Sequence, residues 1–371
     1  MNHRAEKKII LFILIAWLVR PAFGIQKIKI VDGVKIIENK DKPRLKETVV
    51  FELELTMGGS EAPEESLARP VGLVVDENGR IYVADSKAAK IKIFSPEGKY
   101  IQSFGKKGQG PGELNMPGGI NLTSDGRLMV EDVLNRKIIF FSREGKFLTE
   151  KSLATKLGLV NLLLDMEGNF IGREIVVEEK KMFFVVKKFR PDLSEVFQLD
   201  KYEFPNPLQG KINLFNLVTF YQLDSKGNIL YAKNDRYEIK YYDPRGNLFQ
   251  IVRKKHKKVK ITQQDIDDIL AKIPSTQGMN VKDRLVFSEY FPPISFLSVD
   301  PADRVYVRTY EKGKKKNEYW LDIFDPQGQY LARCLTTAIP FYWRENRVYS
   351  IEENEEGYQV VRRYLVRWPA K

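Results

Sequence analysis

The chain holds one cysteine, Cys334, in 371 residues. A single thiol cannot close an internal disulfide, so stability has to come from packing and strand pairing. Histidine is nearly as scarce, with only His3 and His256. His256 sits in the run RKKHKKVK (253–260), which reads as a solvated basic stretch. A zinc centre or a histidine-based lyase needs several histidines brought together, and this composition excludes both. Long apolar runs are missing too. The run from Ile9 to Val19 is far short of the roughly 20 residues that cross a bilayer.

That short run has a purpose of its own. Arg4, Lys7 and Lys8 precede it, and small residues follow at Ala22 and Gly24. This is the layout of a secretory signal peptide, residues 1–24, with cleavage expected after Gly24. The mature chain is then expected to be exported, periplasmic or extracellular, with no transmembrane span. With no Cys beside the cleavage site, lipid modification there is excluded by chemistry. Residues 1–24 carry four of the 61 Lys and Arg and one of the 49 Asp and Glu, which leaves the rest at about +9. An exported basic protein suits an anionic envelope or glycan ligand, or an acidic protein partner, better than nucleic acid.

What the sequence has in abundance is a repeat. Residues 70–104, PVGLVVDENGRIYVADSKAAKIKIFSPEGKYIQSF, and 117–148, PGGINLTSDGRLMVEDVLNRKIIFFSREGKFL, share one order of features. A strand, an Asx-Gly turn, a strand, a polar corner, a third strand, a Gly turn and a fourth strand follow one another. Asx-Gly between alternating apolar runs is a hairpin signal, because the turn demands positive φ. The unit returns over 159–199, 217–252, 294–334 and 339–367, with Asp303 and Asn346 in place of the first-turn glycine. Four-stranded units at this period, none able to bury both faces alone, predict an all-β, six-bladed β-propeller over residues 48–369. The sixth unit runs out after its third strand. TVVFELELTMGG (48–59) resembles a fourth strand and is expected to close the ring from the N-terminal side. Residues 25–47 read as a leading hairpin or linker around Gly33. Residues 253–292 read as an insertion between blades four and five, with a helix in ITQQDIDDILAKI capped by Thr262 and stopped by Pro274. A monomer is expected.

The pattern from Pro70 to Asp85 resembles an NHL repeat, and the arrangement from about 48 to 368 is similar to secreted bacterial six-bladed propellers of the NHL-like superfamily. The resemblance implies the fold. It leaves function open, since such propellers serve as binding platforms, lyases and lactone hydrolases.

Aligning the units on their first turn defines two rings of residues at the channel rim. One holds Asp85, Asp132, Glu174, Lys233, Thr309 and Glu352; the position before it holds Glu131, Arg173 and Arg308 among smaller residues. The carboxylates Asp85, Asp132, Glu174 and Glu352 are the candidate ligands for a metal, with Ca²⁺ the fitting ion because its oxygen ligands need no histidine. The competing role for Asp85 and Asp132 is turn capping on backbone amides. Glu131, Arg173, Lys233 and Arg308 are the candidate ligand-binding residues, suited to an acidic or zwitterionic ligand through the arginine fork. No catalytic residue is assigned and no cofactor is expected beyond that possible Ca²⁺. The favoured function is a non-catalytic binding or scaffold propeller. The alternative is a carboxylate–metal enzyme of lactonase or lyase type at the channel mouth. Lys312, Lys314, Lys315 and Lys316 form a second basic loop on which an anionic glycan could dock. The glycines of FGKKGQGPGEL precede no helix, so they mark a connection between blades and not a phosphate loop.

Overall fold

The computed structural model describes residues 27–204, 210–215, 218–273 and 281–369. The signal-peptide segment and Pro274 lie outside them. Blade one is built from Pro70–Val75, Ile81–Asp85, Lys90–Phe94 and Tyr100–Phe104. Blade two uses Pro117–Leu122, Leu128–Asp132, Lys137–Phe141 and Phe147–Ser152, and blade three Val160–Leu164, Phe170–Glu178, Lys181–Phe189 and Glu195–Phe204. Thr219–Leu223, Ile229–Lys233, Glu238–Tyr242 and Leu248–Lys254 form blade four. Phe296–Val299, Val305–Lys312, Tyr319–Phe324 and Tyr330–Thr336 form blade five. Blade six takes Tyr342–Arg344, Arg347–Glu353 and Gln359–Arg367 from the C-terminal end, and its outer strand is Val50–Gly58. That strand runs antiparallel to the third strand, with Arg367 opposite Val50 and Val360 opposite Gly58. Pairing the two ends of the chain in one sheet joins the first and last blades without a cross-link.

The hydrophobic core is divided into six clusters, one at each seam between neighbouring blades. Between blades one and two, for example, Tyr82, Ile91 and Val130 pack with Phe141, and between blades five and six Tyr306 and Leu321 meet Val348 and Tyr364. Each seam removes the flat apolar faces of two sheets from water, which is why no blade is stable alone.

The leading hairpin does more than the sequence suggests. Lys27–Val31 and Val34–Asn39 pair with each other, and Val34–Asn39 runs parallel to Leu248–Lys254, making blade four a six-stranded sheet. Asn39 then bonds across to blade five, donating to the Gly328 carbonyl and accepting from the Tyr330 amide. The segment therefore straps blades four and five together. The sequence shows the hairpin but not its docking on blade four, because parallel pairing with a strand some 200 residues away leaves no local pattern.

The helix is Gln263–Lys272, opened by Thr262 in a capping box with Asp265. Asp303 takes the left-handed conformation its turn requires, with φ of 60°. Blade six departs from expectation. Arg344 pairs with Arg347, so the turn has only two residues, and Glu345 rather than Asn346 takes positive φ.

Candidate functional site

The two faces of the disc differ. On one, the first-to-second and third-to-fourth strand connections are tight turns of near-uniform construction. Asp76 shows the pattern: its carbonyl accepts from the Gly79 amide, and its Oδ1 accepts from Asn78 and Arg80. Asp224, Asp243, Asp300 and Asp325 repeat it. The opposite face carries the second-to-third strand loops and the connections between blades. The helix, the extended hairpin of blade three and the lysine loop 312–316 all lie there. Tight turns hold few side chains toward a partner, whereas long loops on a rigid ring do.

Backbone hydrogen bonding decides the carboxylate ring. Asp85, fully buried, accepts from the amides of Ala68, Arg69 and Ala88, and Asp132 accepts from Asn115, Met116 and Asn135. Both hold the loop that enters their own blade. Glu174 is paired with Lys187 at 2.6 Å, and Glu352 binds Arg362 and the Tyr364 hydroxyl, both at 2.9 Å. Their oxygens are spent on protein partners, and among the described residues no group of three or more His, Cys, Asp or Glu is placed to hold a metal. The candidate Ca²⁺ ligands therefore do not fit a shared cation. The ring itself also shifts along the strands. In blade four the capping residue is Asn234, which accepts from Val218 and donates to Phe215, and in blade six it is Ser350, which accepts from Ile339. Bulges in the inner strands of blades one and two, absent from blade four, account for the one-residue offset.

The four candidate ligand-binding residues separate into three behaviours. Glu131 points into the seam with blade three and accepts from the Leu162 amide at 2.8 Å. The inner strand of blade three is bulged there, with Asn161 at φ of 56°, and its loose groups are held by Glu131 on one side and the Tyr221 hydroxyl on the other. Burial raises the Glu131 carboxyl to about 7. This is a structural staple, which corrects its assignment as a rim ligand. Lys233 is neutralised by Asp200 at 3.0 Å; burial would raise that carboxyl, but hydrogen bonds from Tyr231 and Lys233 hold it below its ordinary value.

Arg173 and Arg308 behave differently from both. Each stands opposite the first residue of its inner strand, Val160 and Phe296, at the loop-face end of the blade. The guanidinium of Arg173 lies over Phe184 at 4.2 Å and that of Arg308 over Tyr319 at 3.8 Å. Neither forms an ion pair among the described residues, and each Nε is buried without a hydrogen-bond partner. Burial pulls the Arg308 guanidinium below its usual range, with no carboxylate to restore it. Both side chains are half-buried; Arg308 also donates to the Ser295 hydroxyl at 3.4 Å, and among the described residues neither guanidinium meets a carboxylate.

The basic runs are less uniform than their sequence. Arg253 pairs with Glu238, and Lys254 is buried against Asp322 at 3.1 Å. His256 lies beside the Tyr237 ring on the exposed side of the run, and desolvation there lowers its pKa. Lys312 is tied to Asp265 of the helix cap, leaving Lys314, Lys315 and Lys316 exposed. Sequence reasoning missed one feature altogether. The insertion brings Phe215, Tyr290 and Phe291 beside His256 and Lys258 around a pocket of about 320 Å³ on this same face. The aromatic residues belong to segments with no repeat register, so nothing in the strand pattern marks them.

Comparison with protein families matches residues 60–325 to the family described as 6-bladed beta-propeller. The chain belongs to that family. Comparison with curated proteins finds no match. Among solved structures, it is similar to a candidate exported protein of Bacteroides fragilis, at 13% identity and TM-score 0.57 over 90% of this chain and 100% of that one. A member of the duf4221 family from Bacteroides vulgatus matches at 10% identity and TM-score 0.51, over 88% and 100%. Virginiamycin B lyase from Staphylococcus aureus matches at 11% identity and TM-score 0.45, over 85% and 100%. At such identities the likeness is one of fold. No helix of the described residues is long and apolar enough to cross a membrane.

Proposed function

We propose that this protein is an exported, non-catalytic binding propeller whose loop face takes an acidic ligand. The reading rests on one observation, the pair of aromatic-backed arginines, Arg173 and Arg308, held without carboxylate partners. Two anionic groups, or a polymer that carries them in series, would supply the missing compensation. The exposed Lys314, Lys315 and Lys316 add a weaker, solvent-screened attraction on the same face. Export rests on the basic–apolar–small order of residues 1–24. Among the described residues no carboxylates are assembled as the lactonase- or lyase-like alternative requires.

Titration with an acidic polysaccharide, polygalacturonate, against the neutral polymer dextran tests the reading. Binding of the acidic polymer alone, weakening as salt rises from about 0.05 to 0.5 M, is expected. Equal binding of both polymers, or of neither, contradicts it.

A further inference from the structure

Four blade seams are closed near the rim of the turn face by one device. The third-to-fourth strand turn of a blade carries a glycine with positive φ, and a side chain from the neighbouring outer strand lies on it. Leu55 and Met57 cover Gly98, Phe104 covers Gly145, Phe197 covers Gly246, and Val252 with Ile37 covers Gly328. At Gly145 a Cβ would stand 2.4 Å from the Phe104 ring, so the fit depends on glycine.

The seam between blades two and three breaks this pattern. In the outer strand of blade two, Lys151 stands opposite Ile138 as Phe104 stands opposite Ile91 in blade one. Thr149 stands opposite Phe140 as Phe197 stands opposite Lys188 in blade three. The facing turn, which contains Pro191, has Leu193 in the left-handed position where the others have glycine. Two polar side chains thus replace the apolar seal. What remains is a groove of about 710 Å³, within the size range of small-molecule sites.

Leu122, Phe140, Leu164 and Phe170 give the groove its apolar lining. Most of its charges are already matched: Arg127 to Asp125 at 2.8 Å, Asp165 to Lys188 at 2.8 Å and Glu150 to Lys137 at 2.9 Å, while Glu167 accepts from Asn169 at 3.1 Å. Lys151 is the exception, half-buried with no ion pair or hydrogen bond among the described residues. We infer that the groove is a second binding site, separate from the loop face, for an amphipathic organic anion. Its aromatic or acyl body lies against Leu122 and Leu164, above the buried Phe140 and Phe170, and its carboxylate meets Lys151.

Calorimetric titration with 2-naphthoate and its neutral counterpart 2-naphthamide tests this. The native protein is expected to bind the carboxylate about tenfold more tightly than the amide. Lys151→Gln should bring the two to the same affinity without moving the melting temperature. Thr149→Phe should restore the seal, block both compounds and raise the melting temperature. No naphthoate binding by the native protein overturns the inference. So does a Lys151→Gln variant that keeps the carboxylate preference, or a folded Thr149→Phe variant that binds as the native protein does. The Lys151→Gln comparison decides the matter even if Thr149→Phe fails to fold. Because the polymer titration reads the opposite face, loss of one site leaves the other measurable.

Discussion

Replacing Asp322 by asparagine removes a single charge from the seam between blades four and five while keeping the side chain's shape. Asp322 is wholly buried on the third strand of blade five. It accepts from the hydroxyls of Tyr237 and Tyr330 and pairs with Lys254 and Arg333, each at 3.1 Å. Arg333 keeps a second partner, Glu311 at 2.8 Å. Lys254 has no second ion pair among the described residues, where its ammonium otherwise faces the rings of Tyr237 and Tyr330. Breaking one side of a buried pair leaves an uncompensated cation and typically costs 3–5 kcal/mol, so Asp322→Asn should lose about 4 kcal/mol. Lys254→Met alone should cost less, about 1–2 kcal/mol, because Asp322 keeps two hydroxyl donors and Arg333. The double variant Asp322→Asn/Lys254→Met should recover at least half of the loss, since the stranded charge is gone. Denaturant unfolding of the native protein and the three variants, with slopes compared to confirm a common transition, measures each term. An Asp322→Asn cost below about 1 kcal/mol, or no recovery in the double variant, refutes the claim that Lys254 depends on this carboxylate.

Three further outcomes follow from the same structure. Burial raises the Glu131 carboxyl to about 7 from an ordinary 4.5, so the unfolded chain loses this proton at lower pH than the folded one; stability should fall as pH rises through that interval and level off above it. Glu131→Gln should flatten this slope, worth on the order of 3 kcal/mol, in unfolding titrations at about pH 5 and pH 8, and an unchanged slope counts against the buried-staple role. Asn234→Ala should cost about 2 kcal/mol by stranding the Val218 amide, whereas Lys233→Ala should cost under about 1 kcal/mol, and the reverse ranking restores the original ring alignment. Deleting residues 27–39 should lower the melting temperature, and extending the deletion through Gly58 should abolish cooperative unfolding; a shorter chain that melts like the longer one contradicts ring closure by Val50–Gly58.

The fold was legible because its signals are local. Turns such as Asp76–Gly79 repeat with an apolar strand on either side, and six copies can be counted without knowing how they meet. The closing strand was legible by likeness to another outer strand. The parallel strap of Val34–Asn39 was not, since its partner strand ends at Lys254 and no turn joins them. The site was half legible. Alignment brought Arg173 and Arg308 to equivalent strand positions, but it could not foresee that Asp200 neutralises Lys233 or that a bulge at Asn161 draws Glu131 inward. Those outcomes depend on neighbouring blades, and a sequence register describes one blade at a time. The same limit placed the cap at Lys233 and not Asn234, because the inner strands of blades one and two carry a bulged residue that the inner strand of blade four lacks.

The most direct test of the loop-face assignment is to replace Arg173 and Arg308 together by methionine and measure both polygalacturonate binding and thermal unfolding. Cations held for a ligand rather than for the fold predict lost binding with a melting temperature unchanged or raised, since two half-buried charges with no ion pair among the described residues are removed. Retained binding, or a clear fall in melting temperature, contradicts the account.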